Sequence, residues 1–188
     1  MKTIEEQMSV YAAYHQDARN KATHFVGVPA IILSLFIPLA WIRFEAGGVT
    51  ITAAMVFAAV VVLYYFFLDV PLALAMLVVT AVLVWAGHQI AQLGTMPGWI
   101  WFGILFVGGW ILQLVGHVFE GRRPALADNL FQIFVAPIFL AAEVFFALGY
   151  KPELQQRMLQ LSRAQRAESS NSLPRTSSRS GASGSRSA

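Results

Sequence analysis

The chain has 188 residues, of which 57% are hydrophobic and 12% are charged, and its mean hydropathy is +0.60. Soluble domains carry about twice that charged fraction, roughly 25%, so lipid must be the solvent for much of this surface. The chain contains no cysteine, which excludes disulfides, iron–sulfur clusters and thiolate metal sites and leaves His, Asp and Glu as metal ligands. The net charge of +3 comes mainly from a basic C-terminus without interleaved aromatic residues, so we do not expect nucleic acid as a partner.

Four apolar segments follow a polar N-terminal stretch. Residues 1–20 are mixed in charge, which is typical of an amphipathic helix at the membrane surface, and we expect no cleavable signal there. The apolar segments run over about 24–42, 49–68, 69–91 and 99–116. Each is close to the roughly 20 residues that cross a bilayer, and within lipid only a helix satisfies its own backbone groups over such a length. The sequence therefore predicts an all-α, polytopic membrane helix bundle.

A fifth apolar segment, residues 130–148, contains Pro137 and Glu143 and can be interpreted in two ways. The positive-inside rule places the basic residues before the first crossing and after the fourth in the cytoplasm. More basic residues follow the fifth segment. A re-entrant or interfacial helical hairpin, broken near Pro137, keeps all of them on one side. We expect four transmembrane helices plus this hairpin, with five crossings as the alternative.

The same pattern divides the chain into three regions. Residues 1–23 form a polar surface segment that contributes to the site, residues 24–150 form the transmembrane bundle, and residues 151–188 form a basic, largely disordered C-terminal tail. The tail is mostly Ser, Arg and Gly towards its end, and such a composition buries too little apolar surface to offset its chain entropy. The lipid bilayer is the expected environment, and the pattern does not fix the oligomeric state.

Four histidines are the candidate metal ligands. His15 and His24 lie just before the first crossing and His117 lies at the end of the fourth, so four crossings bring these three to one cytoplasmic interface, whereas His88 lies near the opposite face. His15 and His24 are nine residues apart, which places them on opposite faces of a continuous helix. A shared site therefore requires the backbone to turn between them, and Asn20, a good N-cap, is the expected position. The alternative for each histidine is a hydrogen-bonding residue at a helix end.

A dense polar cluster follows His117. It comprises Glu120, Arg122, Arg123, Asp128 and Asn129. A carboxylate three residues after a histidine can bind the same ion or orient the ring. The two arginines could hold the carboxylate of a substrate in bidentate fashion. The alternative is an ordinary cytoplasmic loop.

Two polar motifs resemble the signatures of the 2-hydroxy fatty acid dioxygenase family. The first runs from Tyr14-His15-Gln16-Asp17-Ala18-Arg19-Asn20-Lys21 through His24 to Gly27-Val28-Pro29. The second comprises Gly116-His117, Phe119-Glu120, Arg123-Pro124-Ala125-Leu126 and Asp128-Asn129-Leu130, and is followed by Ala136-Pro137 and Glu143-Val144. In this order and register, the two motifs cover most of residues 14–152.

The resemblance implies a non-haem Fe(II)-dependent dioxygenase of fatty-acid α-oxidation. With O2, such an enzyme converts a long-chain 2-hydroxy fatty acid into the acid one carbon shorter and CO2. The family's histidines imply iron binding by His15, His24 and His117, and we add His88, which lies outside the signatures. Catalytic roles are expected for Glu120, Arg122 and Arg123, and supporting roles around the metal for Tyr14, Asn20, Asp128 and Asn129.

Other functions remain open on the residues alone. Four histidines are too few for the paired histidine boxes of two-iron membrane desaturases. Two histidines from different helices could bind a haem, and a non-enzymatic membrane lipid-binding protein would need no metal. We expect the protein in a bacterial plasma membrane, with its active site on the cytoplasmic side.

Overall fold

The computed structural model describes residues 3–121 and 132–171. This part of the chain forms seven helices and one β-hairpin. The helices are α1 (Ile4–Ala13), α2 (Ala18–Leu39), α3 (Ala53–Leu68), α4 (Val70–Gln92), α5 (Thr95–Glu120), α6 (Gln132–Ala147) and α7 (Pro152–Asn171). The hairpin consists of β1 (Arg43–Ala46) and β2 (Val49–Thr52), which pair antiparallel. The predicted all-α membrane bundle is confirmed, and the two-stranded β-hairpin is a small addition to it.

Three helices, α2, α4 and α5, are long and apolar enough to cross a membrane, and α3 and α6 are shorter apolar helices. The 16 residues of α3 span about 24 Å, less than the roughly 30 Å of a hydrocarbon core. The predicted second crossing is shortened because its first residues form β2. Large apolar side chains such as Val60, Val78 and Ile104 are exposed on these helices, as expected of surfaces that contact lipid.

Helices α2 and α5 run antiparallel and approach each other through glycines. A Cβ atom on Gly27 of α2 would lie 3.0 Å from the carbonyl oxygen of Gly109 of α5. Conversely, a Cβ atom on Gly109 would lie 3.0 Å from the carbonyl oxygen of Gly27. Near the other end of the pair, Gly98 leaves room for the ring of Trp41. Small residues at a helix crossing are typical of membrane proteins, since they let the two backbones come close. This packing places the start of α2 beside the end of α5.

The N-terminal helix α1 is part of the core. A capping box formed by Thr3 and Glu6 starts the helix, and Met8 of α1 is fully buried. The same apolar cluster includes Phe139 of α6 and Met158 of α7. The predicted N-terminal helix is therefore present, and it packs against α6 and α7.

Helix α6 continues through Pro137, so the predicted break at this residue is absent. Proline removes one backbone donor, and here the hydrogen bond lost would have reached the carbonyl of Ile133, at the very start of the helix. The acid in this segment, Glu143, forms an ion pair with Lys21 of α2, in which Nζ and Oε2 are 2.8 Å apart. This ion pair anchors α6 beside the first turn of α2.

Helix α7 extends ordered structure beyond residue 150, into the region that we predicted to be a largely disordered tail. Its residues Leu154, Met158 and Ser162 recur at intervals of four and are all buried, which is the pattern of a helix with one packed face. Residues 172–188 lie outside the described part of the chain. The division into three regions stays a prediction.

The close approach of α2 and α5 predicts a contrast between two adjacent glycines. We expect Gly109→Ala to lower the thermal unfolding midpoint, because overpacking costs about 1–3 kcal/mol and the gain in helix propensity offsets only about 1 kcal/mol. Gly108 has no atom within 4 Å of a Cβ built there, so Gly108→Ala should leave the midpoint unchanged or raise it. Thermal unfolding of detergent-solubilised protein, followed by circular dichroism, measures both variants. Equal midpoints would contradict the packing.

Candidate metal centre

Three histidines from separate elements meet at one end of the α2–α5 pair. His15 lies between α1 and α2, His24 lies in α2, and His117 lies in the last turn of α5. The ring centroids are 4.5 Å apart for His15 and His24, 5.0 Å for His15 and His117, and 5.2 Å for His24 and His117. All three are buried, and one nitrogen of each lies within 4.8 Å of the others. The predicted convergence is confirmed, whereas their role as ligands stays a prediction.

The backbone turns between His15 and His24 slightly earlier than predicted. We expected Asn20 to be the N-cap of the second helix, but Asp17 is the N-cap, and its carboxylate accepts a hydrogen bond from the backbone N–H of Arg19 at 2.8 Å. Aspartate is as good a cap as asparagine, and it comes first in the chain. Asn20 therefore lies inside α2.

Hydrogen bonds to carbonyl oxygens determine which nitrogen is protonated in two of the rings. His15 Nδ1 lies 2.7 Å from the carbonyl oxygen of Tyr11, and His24 Nδ1 lies 2.8 Å from that of Asn20. Because a carbonyl oxygen can only accept, each Nδ1 carries the proton and each Nε2 keeps its lone pair. Metal-binding histidines are commonly oriented in this way.

The two Nε2 atoms face each other at 3.1 Å. When both rings are neutral, neither has a proton to donate to the other across this gap. A cation between the two nitrogens would accept both lone pairs. An imidazole nitrogen binds a divalent metal such as zinc at about 2.0–2.1 Å, so two nitrogens 3.1 Å apart can both reach one ion. The facing lone pairs of His15 and His24 therefore fit a shared metal ion.

His15 is held in its neutral form. Burial, together with the neighbouring ring of His24, lowers the pKa of His15 to about 2. The ring also stacks on Tyr11, with a centroid separation of 3.9 Å and an interplanar angle of 4°. Neutral imidazole is the form that binds metals, so His15 is ready to bind throughout the physiological pH range.

His117 completes the set. Its Nδ1 is buried and has no hydrogen-bond partner among the described residues, a situation that costs about 1–3 kcal/mol when it is left uncompensated. The preceding residue, Gly116, makes the close approach possible, since a Cβ there would lie 2.3 Å from Thr23 Oγ1 and 2.4 Å from Asn20 Oδ1. The three rings together fit a divalent cation with nitrogen ligands.

Glu120 stabilises the segment that carries His15. Its side chain is only 3% exposed and accepts hydrogen bonds from the linker, α2 and α7. The donors are Gln16 N at 2.9 Å, Asp17 N at 2.8 Å, Asn20 Nδ2 at 3.3 Å and Arg166 Nη2 at 3.1 Å. The carboxylate is not part of the three-histidine group. Its contacts are those of a positioning residue.

Arg166 of α7 ties the site to the last described helix. Its Nη2 donates to Glu120, and its Nε donates to the carbonyl oxygen of Ala13 at 2.8 Å, at the end of α1. Sequence reasoning missed this residue because it assigned α7 to the tail. The four-residue spacing of buried positions in α7 was the signal that could have found it.

The remaining predicted site residues are distributed as follows. His88 lies in α4 outside the three-histidine group, and its Nε2 is 3.1 Å from Gln92 Nε2. Tyr14 lies in the linker, where its carbonyl oxygen accepts from Asn20 Nδ2 at 3.3 Å. The loop residues Arg122, Arg123, Asp128 and Asn129 lie outside the described part of the chain.

A cavity of about 80 Å³ adjoins the three rings. Besides the histidines, its lining residues with polar side-chain atoms are Tyr11, Trp110, Gln113 and Gln132, and the others are apolar. A second cavity of about 130 Å³ has an almost entirely apolar lining that includes Phe134 and Pro137. The two cavities share three residues, which are Ile31, Ile32 and Ile133. The polar site thus adjoins an apolar space among the helices.

The chain is similar to known proteins over most of its length. Residues 1–148 match the family model described as "Mpo1-like: 2-hydroxy-palmitic acid dioxygenase Mpo1-like". A curated relative, the 2-hydroxy-palmitic acid dioxygenase MPO1 of Saccharomyces cerevisiae, is 33% identical over 160 residues, which cover 81% of this chain and 85% of the relative. No solved structure matches the chain significantly. The residues matched to the family include all three clustered histidines.

The contacts of Glu120 predict that α7 supports metal binding from a distance. We expect Arg166→Met to weaken binding of a divalent cation by roughly 10- to 100-fold, the usual effect of losing a group that orients metal ligands. Arg163 is exposed on the same helix, so Arg163→Met is the matched control and should bind like wild type. Competition with a chromophoric chelator measures both affinities. Unchanged affinity in Arg166→Met would exclude α7 from the site.

Proposed function

The chain belongs to the Mpo1-like family, and we propose that it is a 2-hydroxy fatty acid dioxygenase in which His15, His24 and His117 hold one Fe(II) ion. The observation that carries the proposal is the pair of facing Nε2 lone pairs with a third buried ring beside them. The yeast relative is named for 2-hydroxy-palmitic acid. We infer the same class of substrate here, a long-chain acid with a hydroxyl on C2.

Iron suits the ligand set. Imidazole binds first-row divalent metals, and a site with three protein ligands leaves coordination positions for other molecules, as in non-haem iron oxygenases. A bound Fe(II) would supply the one-electron chemistry through which O2 reacts with a closed-shell organic acid. The residues of this chain contribute the lone pairs, the ring orientations and the burial of all three rings.

The proposed reaction breaks the bond between C1 and C2 of the substrate. One 2-hydroxy acid and one O2 give the acid shortened by one carbon, one CO2 and one water, so all atoms are accounted for. C2 loses three electrons in passing from an alcohol to a carboxyl carbon, and C1 loses one in becoming CO2. O2 accepts these four electrons. No separate reductant is required.

The two cavities suggest how the substrate lies. The polar head belongs beside the histidines, and the acyl chain extends past Ile31 and Ile32 into the second cavity. Phe134 lines that second cavity, and we propose that it contacts the acyl chain. We also propose that the protein lies in a bacterial plasma membrane, with this site on the cytoplasmic side.

The proposal predicts different outcomes for two histidine variants. We expect His117→Ala to lose bound iron and at least about 100-fold in turnover of 2-hydroxypalmitic acid, because a ligand is removed and not merely an orienting group. His88→Ala should retain both, since His88 lies outside the group. Iron is measured by mass spectrometry after anaerobic purification, and turnover by O2 consumption and product analysis.

The same experiments separate the alternatives. Iron content and turnover that persist in His117→Ala would remove this residue from the site. A Soret band with stoichiometric haem in the purified protein would favour the haem-binding alternative. Wild-type protein that binds the acid but neither iron nor O2 would be a lipid-binding protein.

We further propose that Arg122 or Arg123 holds the substrate carboxylate. We expect the double variant Arg122→Gln, Arg123→Gln to raise KM for a 2-hydroxy acid by about tenfold or more, since a charge-assisted bidentate contact is lost. Arg163→Gln serves as the control, because Arg163 is exposed on α7. If the double variant turns over the acid with unchanged KM and kcat, the clamp is abandoned.

A further inference from the structure

Unsatisfied polar atoms are concentrated around the cavity beside the histidines. Five buried side-chain atoms of the described residues have no hydrogen-bond partner, and three of them belong to residues that line this cavity. The three are His117 Nδ1, Gln113 Nε2 and Gln132 Oε1. Gln113 is 8% exposed and Gln132 is 5% exposed, so neither amide is satisfied by bulk water.

The two glutamines are placed there by different helices. Gln113 precedes His117 by four residues on α5, which puts both side chains on the same face. Gln132 is the first residue of α6. Their neighbours in the cavity wall include Val28, Ile31 and Ala136, which offer no side-chain hydrogen bond. Buried polar groups in native proteins normally have partners, and an unpaired amide atom on each of two residues that line one cavity therefore indicates a polar ligand.

We propose that Gln113 and Gln132 form the subsite that recognises the 2-hydroxy acid head of the substrate, with Gln132 Oε1 accepting a hydrogen bond from the 2-hydroxyl and Gln113 Nε2 donating one to the carboxylate. The chemistry of the unpaired atoms determines this assignment. Oε1 is an acceptor, and the hydroxyl is the only donor on an ionised 2-hydroxy acid. Nε2 is a donor, and a carboxylate oxygen is the strongest acceptor on that ligand. The identity of the ligand rests on the proposed function.

This subsite also determines the direction of the ligand. The head is held between the two amides and the histidine rings, and the shared residues Ile31, Ile32 and Ile133 lead from there to the second, apolar cavity. A carboxylate can accept several hydrogen bonds, so a contact with Gln113 is compatible with a second contact from an arginine. Gln132 then selects for the hydroxyl, which contacts to the carboxylate from Gln113 or an arginine cannot do.

Binding to the metal-free, full-length protein tests the subsite without turnover. Radiolabelled 2-hydroxypalmitic acid is displaced from protein in lipid nanodiscs by unlabelled 2-hydroxypalmitic acid or palmitic acid. Wild type should bind the 2-hydroxy acid about tenfold more tightly than palmitic acid. Equal affinity for the two acids would overturn the proposal.

Methionine variants assign the two roles, because methionine is similar in length to glutamine and has no comparable donor or acceptor. Gln132→Met should reduce the preference for the 2-hydroxy acid to within about twofold. Gln113→Met should weaken both acids by about tenfold and keep the preference. Gln89→Met is the matched control, since Gln89 is exposed on α4, and should bind as wild type does. A full preference in Gln132→Met would overturn the assignment.

A second variant covers the possibility that Gln132→Met does not fold, as judged by circular dichroism and gel filtration. Gln132→Glu keeps the size of the side chain and its acceptor oxygens. It should still bind the methyl ester of 2-hydroxypalmitic acid more tightly than methyl palmitate, and loss of this preference would overturn the proposal.

The test of the subsite can be distinguished from the test of the dioxygenase activity. If the protein has neither iron nor turnover but its preference depends on Gln132, the dioxygenase is rejected and the subsite is retained. If turnover is normal but the preference does not depend on Gln132, the subsite is rejected and the dioxygenase is retained.

Discussion

The close contact between α2 and α5 is the constraint on which the rest of the site depends. Gly27 and Gly109 bring the two backbones to a distance at which a Cβ on either would press on the other's carbonyl oxygen, and Gly116 continues this contact to the end of α5. In lipid the hydrophobic effect does not drive helices together, so such packing sets their separation. It is this separation that places the ring of His117 5.2 Å from that of His24. If the two helices crossed at a larger distance, His24 and His117 would be too far apart to bind the same ion.

The third histidine is positioned by hydrogen bonds. His15 belongs to no helix, and the segment that carries it is held by backbone N–H groups of Gln16 and Asp17 bound to Glu120. Because Glu120 lies three residues after His117, one helix end supplies both a ring for the centre and the acceptor that fixes the neighbouring ring. Arg166 offsets the charge of this buried carboxylate. The centre therefore combines close helix packing, which places His24 and His117, with a polar network that orients the segment between α1 and α2.

Topology was the part of the site that could be predicted from the sequence. Counting apolar segments and basic residues brings His15, His24 and His117 together, and it separates His88 from them. Local details were harder, because they depend on competition between neighbours. Asp17 and Asn20 are equally good caps by residue type, and only the fold shows which one begins α2. Gln113 is a polar residue in a strongly apolar helix, one turn from His117, and this position indicates a role at the site. That its amide nitrogen has no partner, however, is visible only in three dimensions. Helix α7 was missed because its buried face lies in a segment of low overall hydropathy.

The contact between Arg166 and Glu120 has a consequence for the order in which the protein is made. The three histidines and Glu120 precede residue 166 in the chain and are therefore synthesised before it. Until then the carboxylate that orients the His15 segment lacks its cationic partner, and the N-terminal helix lacks the surface of α7 on which it packs. The centre therefore becomes complete only after α7 has been made and has packed, and a metal ion that arrives earlier meets a His15 segment that lacks part of its support.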